Sequence, residues 1–263
     1  MKIQIQSFYK IGLFITLLTI TFCGWSQEIK KNASRIKVQL GGGYEYSFLK
    51  DFNKEFTKNQ AIKVYNHDLN SGWTINANLT YYLSHFFNVG FEINNGTYHL
   101  SGYKTNLSFE DPLPYGVSYT YDLEKDIYLY NNGYGITTTL YFDQFNKKKQ
   151  ISKFNFGFDL AGNYVLGEYK QITTSYQWGK DYGDSESENV KYKYVTIKAG
   201  LNVKYNLNQK IIHAIIFKCG FRKASNPEIP YPDYFPFFLF NKTKVDLSGF
   251  YANLFIELGW MKK

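Results

Sequence analysis

The sequence predicts an all-β fold of eight antiparallel strands, and three observations carry that expectation. Apolar and polar residues alternate with period two in eight separate stretches. Period two is the repeat of a strand, whose successive side chains point to opposite faces. The connections between these stretches are short and long in turn. Aromatic residues make up 20% of the 263-residue chain, with 25 Tyr and 23 Phe beside 21 Gly. That supply of rings suits the aromatic belts of a membrane barrel, and it also suits the aromatic core of a soluble β-sandwich.

The first predicted strand runs from Ile36 to Phe48, with Val38, Leu40, Tyr44 and Tyr46 on its apolar face. The second, Trp73 to Leu83, sets Trp73, Ile75, Ala77, Leu79, Tyr81 and Leu83 against Thr74, Asn76, Asn78 and Thr80. The third starts at Phe87, where Val89, Phe91 and Ile93 oppose Asn88, Gly90, Glu92 and Asn94. The fourth, about Ile127 to Phe142, opposes Tyr134, Ile136, Leu140 and Phe142 to Gly133, Gly135, Thr137 and Thr139. The fifth, Phe154 to Lys170, carries Phe154, Phe156, Phe158, Leu160, Tyr164 and Leu166 on one face. Its other face is Asn155, Gly157, Asp159, Ala161 and Asn163. The sixth, roughly Tyr192 to Leu207, places Val195, Ile197, Ala199, Leu201, Val203 and Tyr205 opposite Thr196, Lys198, Gly200, Asn202 and Lys204. In the seventh, Ile211 to Lys223, Ile212 and Ile216 blur an otherwise regular alternation. The eighth is the clearest: from Val245 to Trp260, Ala252, Leu254, Ile256, Leu258 and Trp260 oppose Asn253, Glu257 and Gly259, with Phe255 among the latter.

Strands two and three are joined by Ser84-His85-Phe86, and strands six and seven by Asn208-Gln209-Lys210. Strands four and five are joined by the polar DQFNKKKQISK. The other connections are long: about Leu49 to Gly72, Gly102 to Asp126, Gln171 to Lys191, and Ala224 to Lys244. Short turns at one end and long loops at the other give an up-and-down arrangement. Internal pairing within Gly102–Asp126 would raise the count to ten strands.

The opening residues carry Lys2 and Lys10, then an apolar stretch from Ile11 to Phe22, then Gly24-Trp25-Ser26. This pattern predicts a secretory signal peptide, residues 1–26, cut before Gln27. The remainder, 27–263, forms one domain. The formal charge of +8 falls to +6 when Lys2 and Lys10 leave. Charges of both signs are interspersed with no basic arm, which argues against nucleic-acid binding. Cys23 leaves with the signal and Cys219 remains alone, so an internal disulfide is excluded.

A face made of amides, charges and glycine opposite a continuous apolar face fits a wall between water and lipid. Backbone groups find no water in lipid, so only helices and closed barrels span it. The sequence therefore predicts a transmembrane β-barrel with the polar face inside. An eight-stranded barrel is just wide enough for side chains. The predicted lumen set is Lys37, Glu45, Glu92, Asp159, Lys198, Lys204, Lys218, Arg222 and Glu257. Charges in so narrow a space have to be paired, so a closed or very narrow lumen is expected. Lys37 and Glu257, both near the short-turn end of adjacent closing strands, are expected to pair. For Glu45 and Arg222, near the other end, two readings stand open: pairing inside, or hydration at the rim. Trp73 and Trp260, on the apolar phase at opposite ends, are expected in the two interfacial belts.

These features resemble the small outer-membrane β-barrel proteins of Gram-negative bacteria: the OmpA-transmembrane-domain, OmpX and PorT-like families. The resemblance is one of pattern over nearly all of residues 27–263. It implies location in the outer membrane, contact with outer-membrane lipid, insertion by the barrel-assembly machinery, short turns in the periplasm and long loops outside. It carries fold and location, not activity.

The chemistry-bearing residues are few. His67, His85, His99 and His213 lack metal-ligand spacing, so no metal or cofactor is expected. His99-Leu100-Ser101 puts a base and a nucleophile on one face, similar to outer-membrane lipid A deacylases, but with no third group to orient the base. Asn95 and Thr97 share that face, which fits a strand already leaving the membrane. No enzyme is expected. The acidic run Asp181, Asp184, Glu186 and Glu188 lacks an EF-hand pattern. The fourth long loop reads NPEIPYPDYFPFFLFNK. Its Tyr231, Tyr234, Phe235, Phe237, Phe238 and Phe240 form either a partner-binding patch or a cover over the barrel mouth. The expected function is a structural or partner-binding barrel, with a narrow channel as the alternative and a lipid-modifying enzyme third.

Overall fold

The computed structural model describes residues 35–54, 64, 65, 67–84, 86–110, 118–142, 153–177, 183–207, 209, 211–231 and 241–259. The predicted signal peptide, His85 and Trp260 lie outside them. Strands β1 (Ile36–Ser47), β2 (Ser71–Tyr82), β3 (Phe87–Glu110), β4 (Ser118–Tyr141), β5 (Phe154–Gln177), β6 (Gly183–Asn206), β7 (Ile212–Ala224) and β10 (Gly249–Leu258) close into a barrel. The ring order is β1-β10-β7-β6-β5-β4-β3-β2, antiparallel throughout. A short helix, α1 (Lys50–Phe52), follows β1, and β8 (Glu228–Tyr231) with β9 (Asn241–Lys244) forms a separate two-stranded hairpin.

The period-two faces fall as the sequence predicts. Trp73 and Ile75 are each 72% exposed, while Thr74 and Asn76 beside them are buried. Outward apolar and inward polar residues alternate in this way on the lipid-crossing part of all eight barrel strands, with Ala214, Ile216 and Phe255 as inward apolar exceptions. A soluble sandwich would place the apolar set inside, so the sandwich reading is overturned.

The long connections are corrected in two places. The ladder β3–β4 continues past Gly102 and Asp126 to Glu110↔Ser118, with one register shift between Lys104 and Leu107. The ladder β5–β6 continues to Tyr176↔Gly183. The segments 102–126 and 171–191 are therefore mostly strand. The first does pair internally, but it prolongs two existing strands, so the barrel keeps eight. The reason lies in the solvent. Past the membrane neither face stays uniformly apolar, and the strong alternation that marks a lipid-crossing strand fades. β3, β4, β5 and β6 each have 24 residues, against the roughly 9–11 that a tilted strand needs to cross.

β1 carries Gly41, Gly42 and Gly43 against Phe255, Leu254 and Asn253 of β10. A methyl group on Gly41 would collide with the Leu254 carbonyl and the Phe255 ring, and one on Gly43 with Asn253. At this seam only glycine permits the approach.

Candidate functional site

The lumen is a stack of charge pairs. Near the short-turn end, Lys204 Nζ lies 2.9 Å from Glu257 Oε1, and Gln39 donates to Glu257 Oε2 at 3.1 Å. Tyr82 also donates to that carboxylate at 2.5 Å, and Lys204 Nζ sits 4.7 Å from the Tyr82 ring centre. Further along, Lys218 Nζ meets Asp159 Oδ1 at 2.9 Å, and Thr139 donates to the same oxygen at 2.7 Å. Lys198 Nζ meets Glu92 Oε1 at 2.7 Å, an oxygen that also accepts from Asn94 and Asn163. At the long-hairpin end, Arg222 pairs with Glu45 and donates to Ser47, Tyr98 and the Leu247 carbonyl.

All nine lumen residues chosen from sequence are buried. Glu45 and Arg222 are each 4% exposed, so the pair lies inside and the rim reading falls. The Lys37–Glu257 pair is also corrected. Glu257 is taken by Lys204, Gln39 and Tyr82, while Lys37 Nζ contacts His213 Nδ1. In the β1–β10 ladder Gln39, not Lys37, stands opposite Glu257. Lys204 reaches Glu257 across the lumen from β6. Cross-lumen partners depend on strand tilt and stagger, which the sequence does not display.

Above these pairs the inward face changes character. Tyr98, Leu129, Tyr169, Tyr192, Ile127 and Leu100 form one apolar cluster that Leu49, Phe52, Leu69, Ile229, Val245 and Leu247 cover from the connections. Asn53 fastens the first connection in place, donating to the Leu69 carbonyl at 3.2 Å and accepting from the Leu69 amide at 2.8 Å. A cavity of about 10 Å³, touching Glu45, Thr74, Asn131 and Lys198, lies in the lumen. It has room for about one water.

On the outside, Trp73 stands at the long-hairpin end with its ring edge-on to Tyr44, centroids 5.5 Å apart. His99 and Ser101 do face outward. The structure adds the residue that sequence reasoning missed: His99 Nε2 lies 3.0 Å from Asp126 Oδ1, and its ring stacks on Tyr128 with centroids 4.4 Å apart. Asp126 stands directly opposite Ser101 in the β3–β4 ladder. The only signal for it was the pairing of segments read as a loop. Among the described residues no group of three or more His, Cys, Asp or Glu is placed to hold a metal. Of the fourth connection's aromatics, Tyr231 lies in β8, its side chain outside the described set, and Tyr234, Phe235, Phe237, Phe238 and Phe240 lie outside the described residues.

A closed eight-stranded barrel, apolar without and charge-paired within, has the architecture of the small outer-membrane β-barrel proteins. Among solved structures the chain is similar to Ail, the attachment invasion locus protein of Yersinia pestis, in complex with the heparin analogue sucrose octasulfate. Identity is 12%, 86% of this chain and 99% of that chain are covered, and the TM-score is 0.39. For a second structure of Ail from Yersinia pestis, identity is 11%, coverage 85% of this chain and 96% of that chain, and the TM-score 0.34. No family model and no curated protein matches the chain.

Proposed function

We propose that this protein is an outer-membrane barrel that anchors an extracellular recognition surface and passes nothing through its lumen. The observation that supports it is the double closure: four ion pairs fill the lumen and an apolar cluster covers its mouth. On this reading the signal peptide is removed before Gln27, the assembly machinery inserts the chain, and the upper parts of the two long hairpins project outside. Recognition falls to the projecting part. The fourth connection supplies Pro-stiffened aromatics, Tyr231 and Tyr234 to Phe240, which lose little entropy on binding. Beyond Tyr98 on β3 and before Val195 on β6, whose amide and carbonyl Ser225 takes, no described strand pairs with the outer edge of either hairpin. Such edges are templates for an added strand.

Two experiments test this. In planar bilayers the protein should show no stable conductance steps, and ohmic steps would favour the narrow channel instead. Deleting Pro230 to Phe240 should leave a barrel that resists heat in detergent but loses its partners in a pull-down from outer membranes. Retained partners would move recognition elsewhere.

A second reading has one observation behind it. Asp126 orients His99 beside Ser101 at the outer surface, which is the third group a Ser-His hydrolase needs. Release of acyl chains from lipid A by the wild type but not by Ser101→Ala would establish it.

A further inference from the structure

At the short-turn end of the barrel one lysine crosses a strand to reach a histidine. Lys37, near the start of β1, stands level with Gly259, one step past the last β1–β10 pair, Val38↔Leu258. A methyl group on Gly259 would lie 2.6 Å from Lys37 Cδ and Nζ. The bare glycine is therefore the gap over which the Lys37 stem passes β10 to reach β7, where its Nζ contacts His213 Nδ1. β7 is irregular at this point. Glu257 pairs with Ala214 and Leu258 with Ile212, so His213 is the extra residue of a bulge. A bulge re-aims a side chain, and this one turns the imidazole toward Lys37.

An ammonium has three donors and no acceptor, so the contact requires a bare Nδ1 on a neutral ring. A second proton on the ring removes the acceptor and sets two cations side by side. The described groups around them do not offset that charge. Glu257 on β10 and Lys204 on β6 are the charges that act on Lys37. Glu257 is already held by Lys204, Gln39 and Tyr82 of β2. Lys204, which also lies over the Tyr141 ring of β4, adds a further positive charge. Arg35, just before β1, donates to the Tyr81 hydroxyl. We infer that Lys37 and His213 form an acid-sensitive latch on the closing seam, fastening β1 to β7 across β10 and releasing when His213 takes a proton. An isolated imidazole titrates near pH 6.5 and carboxylates near pH 4. The latch is complete above the imidazole value and is lost as pH falls below it, while the carboxylate pairs of the lumen keep their charge. On the outer-membrane reading this end faces the periplasm, so the seam loosens when that compartment is acidified.

The test is amide hydrogen exchange on the full chain in detergent micelles, one pH unit above and one below the ordinary imidazole value of about 6.5, corrected for intrinsic pH dependence. The reporter is the Gly259 amide, which donates to the Ile211 carbonyl at 3.1 Å, with Tyr251 to Leu254 in the middle of β10 as the control. In the wild type the protection of Gly259 should fall about tenfold in acid, the shift that one proton taken up a pH unit below 6.5 supplies. The middle of β10 should not change. His213→Gln keeps an acceptor that does not titrate, so protection should stay high at both pH values. Lys37→Met should leave it low at both. A wild type without the step overturns the inference, as does an equal fall throughout β10, which would be global loosening. A step that survives in H213Q belongs to another group, and one that survives in K37M makes His213 a sensor with no latch; either result overturns it. The wild-type step and its absence in K37M decide the question even if H213Q does not fold.

Discussion

The lower and upper halves of β3 to β6 share one ladder but have opposite polarity. In the lower half the outward row Ile93–Tyr134–Tyr164–Val195 is apolar, and the inward row Glu92–Gly135–Asn163–Thr196 is polar. One or two rows higher the outward positions are Asn95, Asn132, Glu168 and Lys191, and three rows higher the inward ones are Tyr98, Leu129, Tyr169 and Val190. Below, the chain is inside out; above, it is arranged as a water-soluble protein. Backbone, register and hydrogen bonding do not change across this line. Only the solvent does, which shows that the face of a strand that is apolar is set by what lies outside it. The two halves should therefore fail in different ways.

The largest effect belongs to the lower half. Lys198→Met leaves Glu92 buried without its cation, which should cost about 3–5 kcal/mol in urea unfolding from detergent or vesicles. Lys198→Met with Glu92→Met should recover most of it. A loss of under about 1 kcal/mol would mean that these charges are hydrated like surface pairs, and the contrast between halves would collapse.

In the upper half, Phe52→Ala removes a ring that packs edge-on against Tyr169, centroids 6.0 Å apart. About 3 kcal/mol should be lost locally, read as faster protease nicking of the β1–β2 connection. The heat resistance of the spanning barrel should not move. If both move together, mouth and lumen are one cooperative unit.

A finer test lies within the lumen. Double-mutant cycles should give Lys204–Glu257 a coupling of about 1 kcal/mol or more, and Lys37–Glu257 less than about half of that. The reverse order would restore the partner that sequence alone suggested.

The smallest effect is at the hairpin tips. Tyr103 donates to Asp122 at 3.0 Å and Tyr176 to Glu124 at 3.1 Å. Each bond to a carboxylate, with lesser help from burial, raises the phenol's pKa above its ordinary value. A raised folded pKa means that the contribution is complete below the unfolded value, about 10, and is lost as pH climbs through the raised one. Amide exchange at the tips, corrected for its intrinsic pH dependence, should therefore quicken in strongly alkaline buffer, and Tyr103→Phe should blunt the change.

This contrast also explains what could be read in advance. The lipid-crossing strands were legible to within a few residues, because acyl chains demand an unbroken apolar face and the lumen admits only polar or small residues. Burial of Lys198 followed from phase alone; for Arg222 phase gave the inward face and left the rim open. Their partners did not, because Lys204 and Glu257 meet across the barrel rather than along the sequence. The upper halves read as loops because Tyr, Thr and Ser occupy both faces there, as at Tyr169, Thr173, Thr174 and Tyr176. Asp126 was missed as the partner of His99 for the same reason.

The glycine run of β1 has a bearing on how the ring is completed. Val38 joins Leu258 from the far end of the chain, whereas β2 through β7 pair in sequence as hairpins. Contacts so distant form late, since the cost of bringing the ends together precedes any gain. Gly41 presents a bare edge to Phe255 and Gly43 one to Asn253, so the two borders meet without a side chain to be steered past that ring. A valine at Gly41 would put the obstacle at the final step. It should trap a sheet that has all its hairpins yet remains open, migrating as the unfolded form on a gel run without boiling.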